Sequence, residues 1–360
     1  MRGMTQTINN NRGIALLLVI SVTTILIAAA LEYNRRARFT VLSTAAARDR
    51  LTLSQMAASG VHAAMALLAK DRAESNFDSL QEDWANPDKI NELLNDLSFD
   101  DGELSVKISD EMGRIQVNAL VTFPDSRNFN ASQLLMLERY LNFLKDAMEE
   151  TPEDSQPPAI INSIKDWLDS GDDDAITGLS GAESPYYQDL SPPYNSRNGP
   201  MADIHDLLMV KGITPEMFYG NSEKPGLADA VTVHGMKPGA GTEFTFPGKI
   251  NVNTAELPVL VALMPSENPE LAAVLYELRQ QAATDENAPD FSNPTWYKNI
   301  AGLGDLNLDT GLLTVASDIF RIVSEAKVND SVLTATAVVE RQKNEKSGKW
   351  NCKILSWDTQ

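Results

Sequence analysis

The chain is poor in the side chains on which most enzymes rely for catalysis. Its 360 residues include one cysteine, Cys352, and three scattered histidines. A single cysteine excludes an intrachain disulfide. The sequence contains no His-Glu-x-x-His, Gly-x-Ser-x-Gly or Walker phosphate-binding motif. We therefore predict that the protein is not an enzyme; an anchored hydrolase is the weakest alternative, because no catalytic constellation supports it.

Basic residues are also scarce. The sequence holds 30 lysines and arginines against 50 aspartates and glutamates, which gives a formal net charge of −20 at pH 7. A field of this sign repels the phosphate backbone of nucleic acids. The composition therefore favours protein partners or cations, and we predict that no nucleic acid binds.

Only one long apolar run occurs, between Ile14 and Leu31. As a helix, about 18 residues span roughly 27 Å, close to the hydrocarbon thickness of a bilayer. A polar leader with Arg2 and Arg12 ends in Gly13, so the plausible cleavage point precedes the run, whereas a secretory signal is cut after it. Cleavage after Gly13 keeps the anchor on the chain and leaves 28 basic and 50 acidic residues, a net charge of −22.

Two alternatives stay open for this run. In the first alternative, the run is a buried core helix, although no earlier segment precedes the run to bury it. The second concerns orientation, since Arg35, Arg36 and Arg38 follow the run and outnumber the two arginines before it. By the positive-inside rule, this excess places the globular part in the cytoplasm.

The pattern along the rest of the chain predicts an α/β (α+β) fold. Good helix formers extend the first helix from Ile14 to about Lys70. Alternating side chains predict a hairpin from 104–109 and 114–117, and three C-terminal strands at 319–326, 332–341 and 350–357. Helices are predicted between these regions at 131–150, 160–168, 202–211, 258–264 and 271–281. The two strand regions form one sheet if the helical block is an insertion.

An acidic loop follows the predicted helix 160–168. Asp172, Asp174 and Glu183 match positions one, three and twelve of an EF-hand loop, but the positions between them do not follow that pattern. Hard carboxylate oxygens in a glycine-containing loop suit calcium better than magnesium. We predict a structural Ca²⁺ whose candidate ligands also include Asp169 and Asp173. A solvated acidic loop without an ion is the alternative.

Two segments, 204–213 and 249–260, are similar to the helix-hairpin-helix units of DNA-binding proteins. Their surroundings are acidic, with Asp203, Asp206 and Glu256 close in sequence. Without a basic rim, the electrostatic term that supplies non-specific DNA binding is missing. We therefore interpret both segments as packing modules. A membrane-anchored helix-hairpin-helix DNA-binding protein of an uptake system is the alternative function.

The leader and six short segments together resemble one family. The leader and its cleavage point are similar to those of prepilins. The segments are DEMGRIQVNAL at 110–120, DWLD at 166–169, GAESPYY at 181–187, PPY at 192–194, LLMVKGIT at 207–214 and KINVNTA at 249–255. They resemble general secretion pathway protein K, the large minor pseudopilin of the type II secretion system, over nearly the whole chain.

The resemblance implies a pilin-like fold, in which a long N-terminal helix packs on an antiparallel sheet that carries a large inserted all-α domain of helix-hairpin-helix or SAM-like type. It implies a single-pass protein of the inner membrane with a periplasmic head, against the arginine count. The implied domains are a leader at 1–13, a transmembrane segment at 14–31, a pilin-like core at 32–117 and 316–360, and the inserted domain at 118–315.

Processing and partners are implied as well. A prepilin peptidase would cut after Gly13 and methylate the new N-terminus at Ile14. The I-, J- and H-type minor pseudopilins would join the chain in a tip complex that initiates and caps the pseudopilus for protein export across the outer membrane. Family members carry calcium in the inserted domain, whereas the ligands named above are inferred from the loop itself.

Leu18 departs from the general pilin pattern, in which the fifth mature residue is a glutamate that neutralises the N-terminal amine of a neighbouring subunit. A charge inside the membrane requires a partner. A subunit without this carboxylate has no amine above it to neutralise, so Leu18 predicts a position at the tip. In the other interpretation, Leu18 only tunes extraction from the membrane.

Overall fold

The computed structural model describes residues 12–95, 97, 99, 102–124, 126–146, 153–171, 176–221, 225–241, 243–281 and 289–360. Its helices are α1 Arg12–Glu74, α2 Pro87–Asn95, α3 Ala131–Asp146, α4 Pro157–Leu168, α5 Ser184–Gln188, α6 Pro215–Tyr219, α7 Leu227–Ala230, α8 Leu257–Leu263 and α9 Leu271–Gln281. Its strands are β1 Glu103–Asp110, β2 Ile115–Gln116, β3 Val231–Thr232, β4 Lys237–Pro238, β5 Phe244–Thr245, β6 Ile250–Asn251, β7 Leu313–Thr314, β8 Ile319–Val328, β9 Ser331–Lys343 and β10 Trp350–Thr359.

The first helix is continuous, as its composition predicts. α1 has 63 residues and is about 95 Å long at 1.5 Å per residue. Side chains from 14 to 31 are exposed, whereas Leu53, Met56, Val61 and Leu68 are buried against the head. The helix therefore projects freely over its first half and joins the folded head only in its second half.

The main sheet has the strand order β1-β8-β9-β10 and is antiparallel throughout. β1 pairs with β8 although more than 200 residues separate them in sequence, with Val106 opposite Ser324. The prediction of one sheet formed from two distant strand regions is therefore confirmed. Phe320 and Ile322 of β8 and Ala337 of β9 face α1 and form one hydrophobic core with its buried side chains.

The predicted hairpin at 104–117 is wrong. β1 pairs with β8, whereas β2 lies in a separate parallel pair, with Ile115 opposite Val231 of β3. A 3₁₀ turn at Glu111–Gly113 redirects the chain after β1, and Asp110 Oδ1 accepts a hydrogen bond from the Met112 amide at 2.8 Å. The turn was recognised from the sequence, but its exit leads away from the sheet because the partner of β2 lies far along the chain.

The inserted region has its own hydrophobic core, which draws on residues between Ile115 and Leu313. It is mainly helical and also contains three two-stranded pairs, β2-β3, β4-β5 and β6-β7. The predicted helix 202–211 is a 3₁₀ helix at Ile204–Met209, and the last four residues of the predicted helix 131–150 lie outside the described part of the chain. The domain boundaries at 117/118 and 315/316 stay predictions.

Candidate functional site

Three carboxylates meet beside the C-terminal end of α4. Asp166 lies in the last turn of this helix, Asp169 is its C-cap, and Glu183 immediately precedes α5. One carboxylate oxygen of each lies within 4.8 Å of the other two. The site forms because the chain leaves α4, makes the acidic loop and returns at Glu183 to the same helix end.

The cluster is largely shielded from water. Asp166 is fully buried and Glu183 is 3% exposed. The Thr177 amide donates to Asp166 at 3.0 Å, and Lys165 Nζ lies 2.9 Å from Asp169 Oδ2. Burial nevertheless raises the pKa of Asp166, because the hydrogen bonds and Lys165 offset only part of the lost hydration. One ammonium among three carboxylates leaves net negative charge at this position.

The predicted ligand set is only partly placed by the structure. Asp169 and Glu183 are brought together, and Asp172, Asp173 and Asp174 lie outside the described residues. Asp166 was not among the predicted ligands. Its spacing of three residues from Asp169 puts both on one side of α4, and this spacing is the signal that could have found it.

The residues present fit a hard cation. Carboxylate oxygens are the ligands that calcium prefers, and three of them converge here. Gly181 contributes by its lack of a side chain, since a Cβ there would overlap Asp166 Oδ2. The glycine therefore keeps the space next to this carboxylate open. A cation that binds Asp169 would displace the Lys165 ammonium from this carboxylate.

A second group of acids differs in kind. Asp71, Asp78 and Glu82 also lie within 4.8 Å of one another. Here the buried guanidinium of Arg341 pairs with Asp71 at 3.0 Å and with Asp78 at 2.5 Å. The protein thus supplies its own cation, and we assign this group a structural role.

This second group belongs to a polar network that joins the two cores. Asp110, at the end of β1, accepts hydrogen bonds from Ser317 at 2.5 Å and from Thr254 at 2.6 Å. Burial raises the pKa of Asp110 to about 6 and that of Asp71 to about 7. The network was missed in the sequence because Arg341 and Asp78 are 263 residues apart.

The N-terminal half of α1 fits a membrane span by length and composition, with a mean hydropathy of 2.8 over its most apolar stretch. Ile14 is 64% and Leu18 61% exposed, and Gly13 lies in the first turn of the helix. Glu32 pairs with Arg35 at 3.1 Å and with Arg36 at 2.8 Å. Glu32 thus contacts two of the three arginines that follow the apolar run.

Comparison with known proteins finds similarity to one family. The family model described as "Type II secretion system (T2SS), protein K" matches residues 113–220. A protein from Pseudomonas aeruginosa named type II secretion system protein K is 25% identical over 342 residues, which cover 92% of this chain and 89% of that protein. The chain is similar to type II secretion system protein K over most of its length.

Two further protein K relatives match a shorter part. Those from Klebsiella pneumoniae and Aeromonas hydrophila are 26% and 24% identical, over 58% and 57% of this chain, and each match spans 60% of the relative's own length. A chain in the crystal structure of the GspK-GspI-GspJ complex from enterotoxigenic Escherichia coli has a similar fold. The TM-score is 0.63 at 19% identity, over 88% of this chain and 99% of that one.

The structure shows how the second helix-hairpin-helix-like segment, 249–260, packs. Asn253 lies in this segment and is buried, and it receives a 2.8 Å hydrogen bond from Trp296 Nε1. Val252 and Leu260 of the same segment are buried in the inserted core. These side chains face inward, as a packing module requires, and the DNA-binding alternative is not favoured.

Proposed function

We propose that the chain is a minor pseudopilin of the type II secretion system that acts in a tip complex with the I-, J- and H-type minor pseudopilins. In this function it initiates and caps the pseudopilus for protein export across the outer membrane. Its action is assembly and not catalysis. The similarity to type II secretion system protein K supports the proposal, as does the fold shared with a chain of the GspK-GspI-GspJ complex.

The observation that carries the proposal is the exposed half of α1. Residues 14–31 form an apolar helix whose side chains are all exposed, on a helix that continues into a folded head. Such a surface has to be covered by lipid or by other apolar helices. A single-pass anchor in the inner membrane with a periplasmic head, bundled with similar helices, satisfies this requirement.

Two details of α1 support the pseudopilin assignment. Gly13 followed by Ile14 fits cleavage by a prepilin peptidase and methylation of the new N-terminus. Leu18 leaves the chain without a carboxylate for a neighbour's amine, which fits the first position of the fibre. Gly13, Ile14 and Leu18 are exposed at the beginning of α1, where a protease and a neighbouring helix can reach them.

Calcium would brace the inserted region. We propose that Asp166, Asp169 and Glu183 hold a structural Ca²⁺, together with oxygens of the loop that contains Asp172, Asp173 and Asp174. The ion would neutralise three carboxylates that already lie together, two of them buried and Asp169 half-buried. No other cofactor is proposed.

Co-purification tests the function. The tagged full chain, expressed in a host with its own type II secretion system, should recover the I- and J-type partners from detergent-solubilised membranes. In the control variant, an unrelated apolar helix replaces residues 14–31. This control tests whether membrane anchoring alone is enough to recover the partners. Recovery of neither partner by the wild-type chain would contradict the proposal.

A further inference from the structure

Lys165 places its ammonium group inside the acidic cluster at the end of α4. Lys165 Nζ donates to Asp169 Oδ2 at 2.9 Å and to Thr177 Oγ1 at 2.9 Å. The side chain of Lys165 is 12% exposed and that of Asp169 is 14% exposed, so water screens this pair far less than it screens a pair on the surface. Removing one partner of a shielded pair leaves the other charge uncompensated, which is destabilising.

The same ammonium joins the two arms of the acidic loop. Asp169 begins the loop as the C-cap of α4, and Thr177 lies on the arm that returns to the helix end. The Thr177 amide donates to Asp166 at 3.0 Å, and the Thr177 carbonyl accepts a hydrogen bond from the Gly181 amide at 3.2 Å. Lys165 therefore fastens the returning arm to the helix end. A metal ion held by Asp169 and Glu183 would join the same two arms.

The ammonium and a metal ion compete for one carboxylate. Asp169 Oδ1 accepts a hydrogen bond from the Gly171 amide at 3.1 Å, and Asp169 Oδ2 is the oxygen that Lys165 contacts. An ammonium at this distance from a ligand oxygen would be repelled strongly by a divalent cation bound to the same carboxylate. Occupation of the site by calcium therefore requires Lys165 to leave Asp169.

The fold offers the displaced ammonium a second position. Lys165 Nζ lies 5.8 Å from the centroid of the Phe129 ring, within the range of about 6 Å over which a cation is attracted to the face of an aromatic ring. Phe129 belongs to the partly buried residues that pack against the inserted core. Lys165 can thus give up its contact with Asp169 and stay next to Phe129 and the Thr177 hydroxyl.

We propose that Lys165 is an exchangeable counter-ion of the calcium site. It holds the empty site together, and it sets the affinity for calcium because the ion has to displace it. An ammonium attached to the chain competes at a high effective concentration, so the affinity is lower than the carboxylates alone would give. The loop stays fastened where calcium is scarce, and the ion replaces the ammonium where calcium is abundant. This inference rests on the calcium site that is part of the proposed function.

Lys165→Met separates the two roles of the lysine. Methionine keeps an apolar side chain against the helix end and removes the ammonium. We expect the calcium-free variant to unfold at a lower temperature than the wild type. Its Kd for calcium should be at least about tenfold lower, which corresponds to ~1.4 kcal/mol. Lys165→Gln, which keeps a hydrogen-bond donor without the charge, should shift both quantities in the same directions.

Isothermal titration calorimetry with calcium chloride and thermal unfolding in a chelator measure these effects on the full chain in detergent. Lys298→Met is the matched control, because it removes the same charge from an exposed position of the inserted region. Its Kd should stay within about twofold of the wild type, a difference of ~0.4 kcal/mol. In saturating calcium, Lys165→Met and the wild type should unfold at about the same temperature, since the ammonium no longer contacts Asp169 in either state.

Two results would overturn the role of Lys165 and leave the calcium site in place. One is an unchanged or weaker affinity for calcium in both Lys165 variants. The other is an equal loss of melting temperature with and without calcium, which would make Lys165 an ordinary structural residue. If the wild-type chain binds no calcium, the calcium site fails and this inference with it, whereas the tip-complex function is tested separately by co-purification.

Discussion

At the scale of single residues, the chemistry of this chain lies in buried carboxylates. Asp169 and Glu183 were predicted ligands because acidic side chains cluster in the sequence, and the fold brings them together with Asp166. The carboxylates of an ordinary acidic loop are solvated, whereas Asp166 and Glu183 are buried. A buried carboxylate without sufficient compensation is destabilising, and a cation removes that cost.

Asp166→Asn should therefore weaken the response to calcium. It removes one charge from the cluster, so we expect the increase in melting temperature on adding calcium chloride to fall by at least half. The measurement is thermal unfolding of the full chain in detergent, with and without the ion. Asp189→Asn, at an exposed position just beyond α5, is the matched control and should respond like the wild type. An equal response of all three proteins would contradict the assigned ligand.

Stability should also depend on pH through Asp71. Its pKa is about 7 in the folded chain because burial disfavours the carboxylate, against an ordinary value of 3.8. The folded state thus binds this proton more tightly than the unfolded state, so stability rises as pH falls from 8 towards 6.5, by up to about 1.4 kcal/mol per pH unit for one proton. Above pH 6.5 the half-buried His234, whose pKa is lowered by burial, stays neutral and adds no opposing change.

Thermal unfolding at pH 8.0, 7.5, 7.0 and 6.5 tests this dependence. Asp71→Asn should reduce the slope, because the amide cannot take up a proton; the slope that remains near pH 6.5 comes from Asp110, whose pKa burial raises to about 6. Asp83→Asn, at an exposed position nearby, should retain it. A wild-type stability that declines over this range would show that the carboxylate is not held in its protonated form by burial.

At the scale of elements, the periodicity of apolar residues predicted the helices and strands that are determined by local sequence. The continuous α1, the helix at 271–281 and the three C-terminal strands follow from repeats of 3.6 and 2 residues. Pairing partners do not follow, because β2 pairs with a strand 116 residues further along the chain and no local pattern encodes that distance. The same reason explains why Arg341 could not be matched with Asp71 and Asp78.

Gly60 tests how closely α1 packs on the sheet. An added Cβ would overlap Ser324 Oγ and lie 2.9 Å from Val106 Cγ2. Helix propensity alone would favour alanine by ~1 kcal/mol, but overpacking costs about 1–3 kcal/mol. We expect Gly60→Ala to lower the melting temperature, while Ser54→Ala, exposed on the same helix, should not. A more stable Gly60→Ala variant would mean that helix and sheet are less tightly apposed.

At the scale of the whole molecule, two cores are joined by a polar junction, and a long helix connects the head to a membrane. The fold class followed from the sequence because each part has its own pattern. Orientation did not follow in the same way, because the arginine count and the family resemblance predict opposite sides of the membrane for the head.

N-terminal processing decides whether this helix can serve assembly. With the leader attached, Arg2 and Arg12 hold the helix end in the aqueous phase on one side of the membrane, because moving a charge into hydrocarbon costs about 2.5–3.5 kcal/mol. Cleavage after Gly13 removes both arginines and leaves an apolar end that begins at Ile14. Mass spectrometry of the chain from its native membrane should find a methylated Ile14 as the first residue.

Gly13→Lys should leave Met1 in place and abolish recovery of the partners, whereas Gly199→Lys, in a loop with open space around the glycine, should be processed normally. An intact wild-type N-terminus, or a cut after the apolar run near Ala30, would make the helix an ordinary anchor or signal, and a pseudopilus could not be built on it.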